Sequence, residues 1–145
     1  MDNEEKVLPH VFEISMGIDR SIYTILEHSL REDKENDRMV LSIKPYLAPI
    51  HVGVLSLVKK DGLADKTDEI YRQIRTKFDS FLDHSGAIGR RYRRLDEIGA
   101  PFAITIDHQT KEDNTVTIRR RDNMAQDRVN VSELEPILSK ETAFP

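Results

Sequence analysis

The sequence predicts an α/β fold, a five-stranded mixed β-sheet with flanking helices, on three observations. From Pro49 onward, apolar strand-like runs alternate with segments whose apolar residues recur at helical spacing. That is the pattern of β-α-β units with right-handed crossovers and parallel pairing. Ile50 to Val58 is almost continuously apolar and rich in β-branched residues, as a strand covered on both faces must be. Towards the end, two further runs follow one another across a short polar turn, which adds antiparallel strands.

Taken in order, Val11 to Ile14 is a short strand-like run, and Gly17 then precedes Ile18, Ile22, Ile25 and Leu26 at helical spacing. Arg31 to Arg38 is entirely polar and nearly all charged, and reads as a solvated linker. After the Ile50–Val58 strand, Lys59-Lys60-Asp61-Gly62 is a turn, and Leu63, Thr67, Ile70, Tyr71, Ile74 and Phe78 mark an amphipathic helix. Ser80–Asp83 is a short strand, and Ser85-Gly86 breaks it. Ile88–Ile98 is a second helix, closed by Gly99 and Pro101. Phe102–Ile106 is a strand, a polar loop carries Asn114, and Thr115–Ile118 pairs with Gln126–Val131 around Asp122-Asn123. Ser132 to Glu135 has capping-box spacing and opens a terminal helix. The order is β-α-β-α-β-β-β-α over residues 49–140. A linker at 31–48 and a separate segment at 1–30 precede it.

Composition narrows the function. The chain has 145 residues, 38 % hydrophobic and 33 % charged, which suits one globular domain and excludes a disordered one. No apolar run approaches the roughly 20 residues of a membrane span, and the acidic Met1 to Lys6 does not read as a secretory signal. Cysteine is absent, which removes disulfides and thiol chemistry and fits a cytoplasmic setting, a mitochondrial form being compatible. The net charge of −4 excludes a globally basic nucleic-acid binder. The arginines are nevertheless clustered: seven of the 13 fall between Arg90 and Arg121, as Arg90, Arg91, Arg93, Arg94 and then Arg119, Arg120, Arg121. A local patch of this kind binds polyanions through its own field whatever the total charge.

On the Ile88–Ile98 helix, Ile88, Tyr92 and Leu95 share one face at 100° per residue, with Ile98 at its edge. Arg90, Arg93, Arg94 and Glu97 take the opposite face, and Arg91 lies to the side. Open backbone N–H groups at Gly86–Gly89 favour an anion at the helix start. One reading is phosphate and base recognition by guanidinium groups; the other is a solvated face with an Arg93–Glu97 ion pair. At the Arg119–Arg121 run, alternation sends Arg119 and Arg121 one way and Arg120 the other. Enzyme signatures are scarce. The five histidines are dispersed without metal-ligand spacing, no phosphate-binding glycine–lysine loop is present, and Asp83-His84-Ser85 reads as a loop.

The stretch Asp83-His84-Ser85-Gly86-Ala87-Ile88-Gly89-Arg90-Arg91-Tyr92-Arg93-Arg94-Leu95-Asp96-Glu97-Ile98-Gly99-Ala100-Pro101-Phe102, running on to Asp107, resembles the anticodon-binding domain of class II glycyl-tRNA synthetases of the homodimeric type. Leu47 to Ile50, the Lys59 to Leu63 turn and Thr115 to Asp122 are similar to the same family. Pro9 to Arg20, with Tyr23 to His28 behind it, resembles motif 3 of the class II catalytic domain, and departs from it at Ile14, where proline is usual. The resemblance implies the class II anticodon-binding fold at 49–140 and the tail of a catalytic domain at 1–30. It implies tRNA contacts by Arg90, Arg91, Arg93, Arg94, Glu97, Arg119 and Arg121. It further implies glycine contacts by Glu13 and Ser15, an ATP site lined by Gly17, Ile18, Asp19 and Arg20, and Arg20 as the catalytic arginine. The implied partners are tRNA(Gly), glycine and ATP, with Mg2+ and a homodimer in the full enzyme. Motifs 1 and 2 are absent, so this chain is expected not to aminoacylate alone. The alternatives are a non-catalytic nucleic-acid-binding accessory subunit of the same fold, or an interaction domain whose arginines are merely solvated. The apolar stripe of residues 18–26 would face a catalytic sheet outside this chain. Residues 7–30 are therefore expected to dock on the following domain, pair with another copy, or be poorly ordered.

Overall fold

The computed structural model describes residues 8–58 and 62–145. Met1 to Val7 and the expected turn at Lys59, Lys60 and Asp61 lie outside the described residues. The elements are α1 (Ile18–Ser29), β1 (Leu30–Asp33), β2 (Arg38–Leu41), β3 (Val52–Ser56), α2 (Leu63–Ile74), β4 (Ser80–Asp83), α3 (Ile88–Ile98), β5 (Phe102–Ile106), α4 (His108–Asp113), β6 (Thr115–Arg120), β7 (Gln126–Asn130) and α5 (Leu134–Thr142). Short 3-10 turns occupy Pro45–Leu47 and Val131–Glu133. Among the described residues no helix is long and apolar enough to cross a membrane.

The main sheet has the order β4-β3-β5-β6-β7. β3 runs parallel to both β4 and β5, while β5–β6 and β6–β7 are antiparallel. This is the five-stranded mixed sheet expected from the sequence. Its two faces are filled differently. Val52, Val54, Ile104, Ile106 and Ile118 point to the face covered by α2 and α5, where Leu63, Ile70, Ile74, Leu134 and Leu138 are buried. Leu55 and Ala103, one register step away, point to α3 and meet Leu95, Tyr92 and Ile98. β3 is buried along its whole length because both of its faces are covered. Gly53 lets α3 close on the sheet: a Cβ there would lie 2.2 Å from Leu95 Cδ1.

Four expectations are corrected. Val11–Ile14 forms no strand; residues 8–17 have no regular structure and are exposed. Residues 31–38 are not a solvated linker, because β1 and β2 pair there as an antiparallel hairpin, with Leu30 opposite Leu41 and Asp33 opposite Arg38. Inside the loop expected between β5 and β6, Asp107 and Thr110 close a capping box that starts the short helix α4. At the end of the chain the capping box is Asn130 with Glu133, two residues before the expected position, and it leads through a 3-10 turn into α5. Helix α1 is formed, but none of its residues is buried, and Ile18, Ile22 and Tyr23 are more than half exposed.

Asp107 also ties β5 to β7, accepting hydrogen bonds from Arg128 Nη1 at 2.7 Å and Nη2 at 2.9 Å. Those bonds, with help from the Thr110 amide and against the upward pull of burial, hold its carboxyl down at about 2. A carboxyl depressed on folding stabilises the fold fully above its ordinary value and loses that contribution as pH falls through the folded value. The urea midpoint is therefore expected to drop more steeply between about pH 4 and 2 in the wild type than in Asp107→Asn. Parallel pH profiles for the two proteins would refute the assignment.

Candidate nucleic-acid interface

Helix α3 carries the arginine-rich stretch, and the structure divides its arginines into two groups. Leu95 and Tyr92 set the orientation by packing on β3 and β5, and the Tyr92 hydroxyl meets Thr105 Oγ1 at 2.6 Å. Asp96, almost fully buried, then receives Arg119 through two bonds of 2.8 and 3.0 Å, and Arg38 Nη1 at 2.8 Å. Arg38 reaches back to Asp33 at 2.8 Å and donates to the Arg121 carbonyl. Arg119 also stands 4.9 Å over the Tyr92 ring. Burial alone would pull the Arg38 guanidinium down, but its bonds to Asp96 and Asp33 raise it; the Asp33 carboxyl is lowered chiefly by the bond from Arg38. Arg121 is 1 % exposed and donates to the carbonyls of Gly99 and Ile43 while pairing with Asp122. Arg91 is 3 % exposed and donates to the carbonyls of Ser56 and Asp83 at the ends of the parallel strands. Burial pulls its guanidinium below the usual value, against the opposing pull of Asp83.

The expectation of direct tRNA contact is thus corrected for Arg91, Arg119 and Arg121, whose donors are turned inward. Arg120 takes the other face, as alternation requires, and pairs with Glu141 and Asp127. Bonds from Glu141 first, then Asp127, raise its guanidinium.

Arg90, Arg93, Arg94 and Glu97 remain at the surface. Arg90 and Glu97 are exposed and have no ion pair among the described residues. Arg94 is partly exposed and holds the buried Asp83 carboxylate, whose other oxygen accepts from the Ser85 amide at 2.7 Å. Burial raises the Asp83 carboxyl, but Ser85 and the charges of Arg94 and Arg91 bring it below its usual range. The expected Arg93–Glu97 pair does not form; Arg93 lies 3.5 Å from Asp37 in the β1–β2 turn instead. Helix α3 starts at Ala87 with no side-chain cap, so its first amides stay open to a partner.

The remaining sequence-singled residues fall elsewhere. Ser15, Gly17 and Arg20 line one shallow depression with Thr24 and Ile25, while Glu13 and Asp19 are exposed and Ile18 starts α1. These residues form at most one wall for ATP or glycine. Among the described residues no three His, Asp or Glu side chains are grouped to hold a metal ion. His84, read as part of a loop, bridges Ser56 Oγ at 3.1 Å and Asp68 Oδ1 at 3.2 Å. Ser56 has no exposed surface, so this serine–histidine–aspartate line is a strut between β3, β4 and α2 and cannot present a nucleophile. Sequence reasoning missed Asp37, Arg38 and Asp96, the groups that anchor α3.

Comparison with known proteins follows this geometry. The family profile described as "Anticodon binding domain" matches residues 51–141. The chain is 52 % identical over 136 residues to the glycine–tRNA ligase of Methanothermobacter thermautotrophicus, a match covering 93 % of this chain and 24 % of that one. It is 50 % identical over 141 residues to the same ligase of Pyrococcus horikoshii, covering 97 % and 24 %, and 46 % identical over 140 residues to that of Treponema denticola, covering 92 % and 31 %. The chain thus spans about a quarter of the length of the archaeal relatives. Among solved structures, the RNA binding domain of threonyl-tRNA synthetase from Cryptosporidium parvum Iowa II superposes with a TM-score of 0.65 at 23 % identity, covering 72 % of this chain and 26 % of that one, a likeness of fold.

The division of the arginines predicts a contrast in stability. Asp96→Asn and Arg119→Ala each strand a buried charge and are expected to cost about 3–5 kcal/mol in urea unfolding. Arg90→Ala, at the exposed surface, is expected to stay within about 0.5 kcal/mol of wild type. Equal costs for the two groups would show that the partition is wrong.

Proposed function

This chain belongs to the anticodon-binding domain family, and we propose from that premise that it holds the anticodon loop of tRNA(Gly) as part of a glycine–tRNA ligase. The observation that carries the reading is α3: an uncapped start, exposed Arg90 and Arg93, and a half-exposed Arg94, on a helix riveted to the sheet by buried ion pairs. Guanidinium groups on a fixed backbone suit phosphate oxygens and the faces of unstacked bases. The identity to glycine–tRNA ligases extends through the α1 region and supports reading residues 1–30 as the tail of a catalytic domain. In that reading Glu13 and Ser15 face glycine, and Gly17 to Arg20 form one side of the ATP site. Its other side, the Mg2+ donors and the homodimer contact belong to the rest of the ligase, working in the cytoplasm. A non-catalytic accessory role is not favoured, because such a subunit has no use for the Glu13, Ser15 and Arg20 pattern.

The test is a titration of tRNA(Gly), and of the same tRNA with a swapped anticodon, at two salt concentrations. Wild type is expected to keep its preference for tRNA(Gly) as salt rises. Arg90→Ala, Arg93→Ala and Arg94→Ala should each weaken binding, and loss of one phosphate contact lowers the salt slope by about 0.7. A charge-only surface would bind both tRNAs equally and lose both together with salt; that result, or no effect of the three substitutions, contradicts the reading.

A further inference from the structure

Strand β4 ends the main sheet on one side, and its outer edge is open. It pairs in parallel with β3, and in such a pair alternate residues of the edge strand turn their N–H and C=O groups outward. The Val52 amide donates to the Asp79 carbonyl, which sets the alternation: Phe81 faces β3, and Ser80 and Leu82 each present one donor and one acceptor to the outside. Those four groups have no partner among the described residues.

The flank of α2 beside this edge is cationic. His84 directly follows β4, and its Nε2 meets Asp68 Oδ1 at 3.2 Å, so the Asp68 side of α2 lies next to the strand. Arg72 and Arg75, four and seven residues on, continue that side back along β4 towards Ser80. The rise from Asp68 to Arg75 is about 10 Å, the span of about three strand residues. Arg72 is exposed and has no ion pair among the described residues, since the carboxylate one turn before it is turned to His84. Arg75 is exposed too, and stands 5.5 Å over the Tyr71 ring with no carboxylate partner. On the other face of β4 the partly buried Phe81 and Ile88 are apolar.

We propose that the β4 edge docks an extended segment of a partner protein, added as a further strand, whose side chains alternate acidic and apolar. Its main chain bonds to Ser80 and Leu82, its carboxylates meet Arg72 and Arg75, and its apolar side chains lie beside Phe81 and Ile88. The site stands across the sheet from α3 and is separate from the RNA face. A second copy is a poor occupant, because two β4 strands paired about Phe81 would set Asp79 opposite Asp83. A nucleic acid has no row of alternating donors and acceptors to match a strand edge. With four residues β4 is too short to pair indiscriminately, so the charges beside it select the segment.

The probe is a short labelled peptide of alternating glutamate and valine with blocked ends, titrated by fluorescence anisotropy against the full chain. It is expected to bind saturably. In the free chain the Leu82 amide should exchange faster than the inward Phe81 amide, and the peptide should slow it. Arg72→Glu combined with Arg75→Glu should weaken the peptide by about tenfold. Ser80→Pro suits the first residue of an edge strand, removes one outward donor and should also weaken it. Methylating every second backbone nitrogen of the peptide, in each of the two possible sets, should abolish binding for one set and spare the other, with charge unchanged throughout. Failure of the parent peptide to bind, or equal binding by both methylated peptides, overturns the strand addition. So does a Leu82 amide already protected in the free chain, which would show the edge covered by the chain itself or a second copy. Loss of anticodon stem-loop binding in the double arginine variant would assign Arg72 and Arg75 to RNA and equally overturn it.

Discussion

The carboxylate of Asp96 is the point on which the rest of the structure depends. It lies on the inward side of α3 with almost no contact with solvent, and accepts from Arg119 of β6 and Arg38 of β2 at once. A lone buried carboxylate or guanidinium is strongly unfavourable, and a buried pair is retained only where its geometry is good and its remaining donors are used. Both conditions are met. Asp33, Arg38, Asp96 and Arg119 form a chain of two negative and two positive charges, the spare Arg38 donor goes to the Arg121 carbonyl, and Arg119 covers the Tyr92 ring. The packing of Leu95 and Tyr92 seats α3 on the sheet, and the directed bonds to Asp96 lock its rotation there.

What that fixation provides is a division of labour among residues of one type. Arg38, Arg91, Arg119 and Arg121 bind helix, hairpin and strand ends together, and their charge is spent on carboxylates and carbonyls. Arg90 and Arg93 project from the same rigid helix into solvent, and Arg94 does so in part. An overall acidic chain can therefore carry an arginine-rich outer face on α3, where Arg90 has no ion pair among the described residues while Arg93 faces Asp37 and Arg94 faces Asp83. The arginines inside lower the cost of binding indirectly, because guanidinium groups on a fixed backbone lose less freedom when they meet a phosphate or a base. The hairpin takes part in the same arrangement: Asp37 restrains Arg93 from outside while Arg38 anchors α3 from within.

Elements driven by apolar periodicity were legible in the sequence. β4, α3 and β5 fall at their expected bounds, and Gly99 closes α3 in a left-handed conformation, φ +83°. The doubly covered β3 is legible for the same reason. The hairpin was not, because Arg31 to Arg38 carries no apolar alternation; its strands are held by backbone pairing and by a buried arginine that in sequence looks like linker charge. The exposed half of the arginine face was legible from helical geometry and the inward half was not. Sequence spacing shows which arginines share a side of an element, as it did for Arg119 against Arg120, but not which distant carboxylate each will meet. The segment at 8–17 failed for a different reason: its strand-like apolar residues stay exposed and pair with no strand among the described residues.

The central claim is that α3 is an integral part of the folded core before any RNA arrives. Native-state amide hydrogen exchange tests it directly, since local opening and global unfolding separate in the free energy read at each amide. The account predicts that the amides of Leu95, Asp96 and Ile98 exchange with the same opening free energy as those of Val54 and Ile104 in β3 and β5. An α3 that opens by itself, well below the free energy of the sheet and without RNA present, would contradict it.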